Sequence, residues 1–308
     1  MNSGSTIHNV IVTIGMCTKN SETTIREAIE SVLQQDFPHE RLELIIVDGY
    51  SKDKTLAILK QVLKNTDIKN NIFHENEGLG RARQIVVENA GGEYIVWVDG
   101  DMVIPKDFVK KQVEFMKQHP KVGIAKGKMS LDPMDNALAT LEALSRAASK
   151  MIDYQSEKAY SKVLGTSGSI YQTRAAMQVG GFDKGLKGYG EDWDIEIRVR
   201  AAGWSLVTTG TKYLDYERSG LTWKSLWRRY WLRGYHNHCF LHKNRGLIKH
   251  YRMFPPAAFV SGIIHAHKLF KMTQRKIVFL LPFQYIFKIT AWYIGFLNGH
   301  SDSYEPEL

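Results

Sequence analysis

Between Asn9 and about Val98, short apolar runs alternate with stretches whose apolar residues recur every three or four positions. Few folds accept that order, which is the signature of a mostly parallel sheet whose strands are joined by helical crossovers. Val10 to Met16 reads as a buried strand. Ile25, Ala28, Ile29, Val32 and Leu33 follow at helical spacing, with Thr24 to Glu27 as a capping box. Leu42 to Val47 reads as the second strand, Asp53 to Lys64 as a helix, Ile72 to His74 as a short third strand, Gly80 to Asn89 as a helix and Glu93 to Val98 as the fourth strand. Asp101 to Asp107 then leaves the sheet through a proline turn. Residues 136–152 read as a helix, Lys162 to Tyr171 holds a run of small residues, and Arg174 to Val179 precedes the turn Gly180-Gly181-Phe182-Asp183. Asp192 to Ala202 reads as a helix ended by Gly203. With 308 residues, 44% of them hydrophobic, the chain can bury a real core.

Three acidic clusters punctuate this pattern: Asp48 after a strand, Asp99-Gly100-Asp101 after a strand, and Glu191-Asp192 at the start of a helix. Carboxylates at the C-terminal ends of strands in an open sheet face the crevice where ligands bind. In Asp99-x-Asp101, one intervening residue lets two carboxylates address a hard cation such as Mg²⁺ or Mn²⁺, which in turn neutralises a diphosphate leaving group. An isolated D-x-D is more often a solvated turn; the buried strand before this one and the other clusters favour the metal. Asp48 can accept hydrogen bonds from a base imide or a ribose, while Ser51 and Asp53 read as caps of the following helix. Glu191-Asp192 divides evenly between a general base and a dipole-stabilised helix terminus. Gly78 to Arg83 lacks the third glycine of a dinucleotide fingerprint, and its Arg83 either pairs a phosphate, anchors Asp48 or makes an ion pair within the fold. No P-loop and no G-x-S-x-G occurs.

The formal net charge of +9 is unevenly held: residues 1–215 carry 27 Lys and Arg against 28 Asp and Glu, residues 216–308 carry 14 against 4. In the tail, Trp223 to Arg252 interleaves aromatics with cations, and two apolar stretches follow, Met253 to Phe270 and Ile277 to Leu297, separated by Lys268, Lys271, Arg275 and Lys276. The second has the length a bilayer requires but contains Pro282, Gln284 and Lys288. Two crossings would leave the cationic connector on the wrong side, so interfacial helices, or at most one crossing, are expected. The tail histidines His236, His238, His242, His265 and His267 show no convincing metal spacing and read as surface or interfacial residues. Cys17 and Cys239 imply neither a disulfide framework nor a structural metal, and Met1 to Asn9 lacks an apolar segment, so a reducing compartment and no secretory signal are expected.

In order and spacing these motifs resemble those of the family 2 glycosyltransferases. Val12-Thr13-Ile14-Gly15-Met16-Cys17-Thr18-Lys19-Asn20 is similar to that family's first strand ending in P-T-Y-N, and Ser31 to Gln35 to its S-v-l-x-Q. Ile46 to Thr55 is similar to V-D-d-g-S-x-D-x-T, Gly78 to Gln84 to G-x-x-x-A-R-N, Asp99-Gly100-Asp101 to the D-x-D, Gly180 to Asp183 to G-G-F-D, and Gly190-Glu191-Asp192 to G-E-D. The resemblance covers about Val10 to Tyr216. It implies an α/β fold of the GT-A type, a mostly parallel nucleotide-binding sheet flanked by helices, with residues 1–216 as the catalytic domain and 217–308 as a helical, membrane-associating extension. It further implies Asp48 and Arg83 at the nucleotide, Cys17, Lys19, Asn20 and Gly100 at the donor, Asp99 at ribose or metal, Asp101 at the metal, and Asp192 as catalytic base. Cys17 and Lys19 stand where the family has Pro and Tyr, and Gln84 where it has Asn, which leaves base and donor open. The Q-x-x-R-W of processive synthases is missing. The expected activity is transfer of one sugar, with inversion, from a nucleotide diphosphate-sugar to a glycan or polyprenyl-linked acceptor at the cytoplasmic face of an anionic membrane, with Mg²⁺ or Mn²⁺. No nucleic acid is expected: a protein stacking bases on the basic aromatic tail would leave the acidic clusters unexplained. A non-catalytic sugar-nucleotide binder would leave Asp101 and Asp192 without a task.

Overall fold

The computed structural model describes residues 10–130, 134, 136–150, 164–215, 220–244 and 255–302. The polar stretch 1–9, and Arg245, Lys249, Tyr251 and Arg252 of the basic aromatic run, lie outside them. Strands β1 (Val12–Thr18), β2 (Leu42–Asp48), β3 (Lys69–His74) and β4 (Tyr94–Trp97) alternate with helices α1 (Ile25–Leu33), α2 (Thr55–Leu63) and α3 (Leu79–Asn89). Strand β1 pairs in parallel with β2 and β4, and β2 with β3. The expected βα alternation is therefore what folds. The capping box is not: α1 has no side-chain cap, because the Thr24 hydroxyl donates instead to the Gly100 carbonyl at 2.8 Å, reaching across to the D-x-D turn. Nor does Ser51 cap α2; its hydroxyl accepts from the Asn20 N–H at 2.9 Å.

The second half departs further from the reading. Met102–Val103 forms a two-residue strand, β5, where the chain was expected to leave the sheet. Its partner, β8 (Ser205–Asp215), lies more than 100 residues away, a pairing that local pattern cannot announce. Between them come α4 (Phe108–Gln118), β6 (Val122–Met129), α5 (Ala137–Lys150), β7 (Ser169–Gln172), α6 (Thr173–Gln178) and α7 (Glu191–Ala201). Strand β7 runs antiparallel between β4 and β6, and β6 is parallel to β8, so the sheet is mixed, in the order β3-β2-β1-β4-β7-β6-β8-β5.

The core follows from strands covered on both faces. Val12, Ile14, Met16, Leu44, Ile46 and Val96 point to one side, against Ile25 and Ile29 of α1, Leu59 of α2 and Phe108 and Val113 of α4. Ile45, Val47, Ile95 and Trp97 point to the other, against Val86 of α3, Ala175 of α6, and Ile195 and Val199 of α7. Three long helices complete the chain: α8 (Trp223–Lys243), opened by a Thr222–Ser225 capping box, α9 (Pro255–Thr273) and α10 (Leu281–Ser301). The last two fall on the two apolar stretches.

Candidate active site

Strands β1, β2 and β4 end at one edge of the sheet, where Thr18 is in register with Asp48. Backbone and side chains stitch the loops after β1 and β2 together: Lys52 N–H donates to Asn20 Oδ1 at 2.8 Å, Ser21 N–H to Thr55 Oγ1 at 2.7 Å, and Glu22 N–H to Asp53 Oδ2 at 3.0 Å. Asn20, itself at φ 51°, is held inside this network. Asp48 is buried, and its Oδ2 accepts the Ser51 N–H at 3.0 Å. Its other oxygen, Oδ1, is buried without a hydrogen-bond partner, an acceptor that a ligand N–H or O–H would satisfy. Beside it Tyr50, 58% exposed, tilts over His74.

Next to these loops opens a cavity of about 1290 Å³, and Cys17, Lys19, Arg83, Asp99, Gly100, Asp101 and Asp192 all line it. Seven expected site residues from four separate segments thus share one space; Asn20 and Asp48 are not among its lining residues. Ser167 Oγ donates a hydrogen bond to Asp99 Oδ2, fixing one carboxylate of the D-x-D turn. With Asp101 and Asp192 the acidic wall offers hard oxygen donors, which suits Mg²⁺ or Mn²⁺. Burial pushes the Cys17 thiol up to about 12.

Arg83 does not reach Asp48. It makes a buried ion pair with Glu191, the residue before the expected base, and rests over the Phe182 ring. Burial alone would lower the Arg83 pKa, but the Glu191, Asp192 and Asp99 carboxylates more than reverse this and hold it protonated. Burial pushes the Glu191 carboxyl upward, against the pull of Arg83. Both carboxylates of Glu191-Asp192 line the cavity, but Glu191 is buried and paired with Arg83, whereas Asp192 is half-buried.

Three residues around Asp192 escaped the sequence reading. Glu196, one turn on in α7, accepts the Leu164 N–H at 2.8 Å and the Gly165 N–H at 2.6 Å, pinning the loop that passes the cavity. Lys126, buried within β6, donates to the Gly165 carbonyl at 3.1 Å. A Cβ on Gly165 would lie 3.3 Å from Asp192 Oδ2, so glycine leaves room for the carboxylate. A lysine inside an apolar strand was the one local signal for Lys126; Gly165 had only its place in the small-residue run 165–169, and Glu196 had none.

The far half of the cavity is basic and is walled by the tail. Arg146 of α5, Arg228, Arg229 and Arg233 of α8 and Lys288 of α10 line it. Lys288, which counted against a membrane-spanning helix, points inward: Nζ donates to Glu142 Oε2 at 2.8 Å and to Ser145, and Tyr230 donates to the other Glu142 oxygen at 2.9 Å. Arg233 sits between the Tyr230 and Tyr189 rings, 4.9 and 5.4 Å from their centroids. Helix α8 also packs on the acidic wall itself. Phe240 stacks on Trp193 and lies where any side chain on Gly190, at φ 99°, would collide with it; Lys243 pairs with Asp194 at 2.8 Å and with Asp183. The basic aromatic stretch, expected to meet a membrane surface, thus packs through α8 directly on the acidic wall.

The glycosyl transferase family 2 model matches residues 13–168, and the model of glycosyl transferase family group 2 matches residues 94–298. Among characterised proteins, the chain is 26% identical over 228 residues to the poly-beta-1,6-N-acetyl-D-glucosamine synthase of Staphylococcus epidermidis, 70% of this chain and 52% of that one. It is 34% identical over 103 residues to the Staphylococcus aureus poly(ribitol-phosphate) beta-N-acetylglucosaminyltransferase TarS, 33% of this chain and 18% of TarS. The chain thus spans about half or less of these relatives. Among solved structures it is similar to the mannosyltransferase PcManGT from Pyrobaculum calidifontis in complex with GDP-Man and Mn²⁺, with TM-score 0.61 and 17% identity over 93% of this chain and 86% of that one. It is also similar to S. aureus TarS 1–349 in complex with UDP-GlcNAc, with TM-score 0.54 and 16% identity over 95% and 92%. At that identity the likeness establishes the GT-A fold.

Proposed function

The chain belongs to glycosyl transferase family 2, and from that membership we propose that it moves one sugar from a nucleoside diphosphate donor to an acceptor hydroxyl or phosphate, with inversion at the anomeric carbon. The observation that carries this reading is the convergence of Asp99, Asp101 and Asp192, from separate elements, on one large cavity. Asp48, with its unpartnered Oδ1, and the stitched loop around Asn20 hold the nucleoside end. Cys17, Lys19, Arg83 and Gly100 face the donor, with Lys19 and Arg83 as the cations nearest its phosphates. Asp99 and Asp101 hold Mg²⁺ or Mn²⁺, which when bound neutralises charge building on the departing diphosphate.

Asp192 is the base. Its carboxylate takes the acceptor's proton as the acceptor oxygen bonds to the anomeric carbon, and the electron pair of the breaking C–O bond leaves with the nucleoside diphosphate. Neighbouring Glu191 cannot compete for that proton because it is buried against Arg83. The basic half of the cavity, with Arg228, Arg229 and Arg233, supports an acceptor that itself carries phosphate, in keeping with the poly(ribitol-phosphate) named for TarS. Residues 1–216 form the catalytic domain and 217–308 an extension that closes its acceptor side and rests on an anionic membrane at the cytoplasmic face. Among the described residues, one helical stretch, Lys276–Ser301, is long and apolar enough to cross a membrane by length and composition.

A panel of nucleotide sugars with Mg²⁺ or Mn²⁺, scored by thermal stabilisation and slow donor hydrolysis, tests the reading. One donor should stabilise the protein and be hydrolysed only with metal. Silence across the whole panel with either metal would overturn it.

A further inference from the structure

Away from the acidic cavity, α8 and α10 bring three histidines to one point. His238 and His242 stand four residues apart, on one face of α8, and His300 comes from the last turn of α10. One ring nitrogen of each can be chosen so that all three lie within 4.8 Å of one another. His238 Nε2 and His300 Nδ1 are 3.0 Å apart, and the His238 and His242 ring centroids 4.1 Å. Around a tetrahedral zinc with bonds of about 2.0–2.1 Å, ligand atoms lie roughly 3.3 Å apart. The rings are already close to that spacing. His238 is buried, whereas His242 and His300 are exposed, so rotation of the two outer rings can close the set and leave a fourth position to water.

The field at this point also favours a cation. Close approaches between Trp231 and Gly295 and between Tyr235 and Gly299 show that α8 and α10 run parallel, so both helices end at the histidine cluster. Two sets of C-terminal carbonyls, each equivalent to about half a negative charge, converge there. The adjacent ammonium of Lys243 is occupied by Asp183 and Asp194.

We propose that His238, His242 and His300 form a nitrogen-donor site for a zinc-class divalent ion, separate from the oxygen-donor site of the D-x-D turn, which clamps the C-terminal ends of α8 and α10. Imidazoles suit Zn²⁺ and its neighbours and disfavour Mg²⁺, so the two sites sort their ions by donor chemistry. On binding, the proton between His238 Nε2 and His300 Nδ1 passes, by exchange with water, to the far nitrogen of the ring that carries it, so that each imidazole ligates as a neutral group. Because Phe240 and Lys243, on the same stretch of α8, pack against the start of α7, the clamp stiffens the support of the acidic wall.

The test uses the full chain without a histidine tag, stripped of metal and held in excess Mg²⁺ so that the oxygen site is filled. Zinc is then titrated, and Co²⁺ is added separately as a spectroscopic probe. The wild type should take one tight equivalent of zinc, show the intense visible absorption of four-coordinate Co²⁺ and unfold at a higher temperature with zinc than without. His242→Ala and His300→Ala should each weaken that equivalent by about 100-fold or more, at or beyond the cost of losing an outer-shell partner, and abolish the Co²⁺ spectrum. The His242 ring is exposed, so His242→Ala should match the wild-type melting temperature without metal, whereas His300→Ala also removes a hydrogen-bond partner of buried His238 and should melt lower. The proposal falls if the wild type binds no tight equivalent, or if the His242→Ala/His300→Ala double variant keeps it.

Discussion

Asp192 and Glu191 are adjacent acidic residues with opposite fates, and the difference is one of burial and pairing. In the first turn of α7 both line the cavity, but Glu191 is buried and paired with Arg83 while Asp192 is half-buried beside it. Asp192→Asn should therefore abolish sugar transfer while leaving donor affinity near the wild-type value, as measured by turnover and calorimetric titration; a variant with near-normal turnover would refute the base assignment. Glu196 offers a different test. Burial raises its carboxyl from an ordinary value near 4.5 to about 8, with nearby Asp192 pushing the same way and its two backbone N–H bonds opposing. Between those values the folded protein holds a proton that the unfolded chain has released, so this group's contribution to stability is full below pH 4.5 and is lost as pH rises to about 8. Glu196→Gln should flatten the fall of melting temperature across that window, and an unchanged slope would contradict the assignment.

At the scale of elements, the contact between α8 and α10 depends on missing side chains. A Cβ on Gly234 would lie 1.8 Å from the Trp292 carbonyl, and one on Gly295 2.0 Å from that of Trp231. In an isolated helix Gly→Ala stabilises by up to about 1 kcal/mol. Here Gly234→Ala should instead destabilise by about 1–3 kcal/mol as the helices are forced apart, which thermal unfolding will register. The same scale explains what the sequence reading could and could not see. Strands β1, β2 and β4 and helices α1 to α3 were legible because each carries its own apolar period and is covered on a known face. Strands β5, β7 and β8 were not: β5 has two residues, β7 four, and their partners lie far along the chain. The three-histidine point escaped for a related reason, since His300 joins the His238–His242 pair only through the packing of two helices.

For the whole molecule, the tail both walls the cavity and presents an apolar surface. Met272, Phe279, Leu280 and Phe283, around the turn between α9 and α10, are each more than half exposed, and Lys268, Lys271 and Lys276 are exposed beside them. That pairing suits shallow insertion into an anionic bilayer. The full chain should float with vesicles containing phosphatidylserine, and Phe279→Asp/Phe283→Asp should release it while leaving the melting temperature unchanged. Flotation undiminished in that variant would assign the membrane contact elsewhere.

By itself the sequence determined the βα alternation, the acidic residues at strand ends, the family resemblance and the charge split between body and tail, because each is written in local period or in ordered short motifs. Only the tertiary structure decided which carboxylate of Glu191-Asp192 is paired within the fold, that Arg83 is its partner, that Lys288 turns inward to Glu142, and that the basic tail forms the cavity's far wall. Each of these depends on a partner about 90 or more residues away. Which way a charged side chain turns is set by the partner that compensates its burial, and residue order alone does not say which partner folding will bring near.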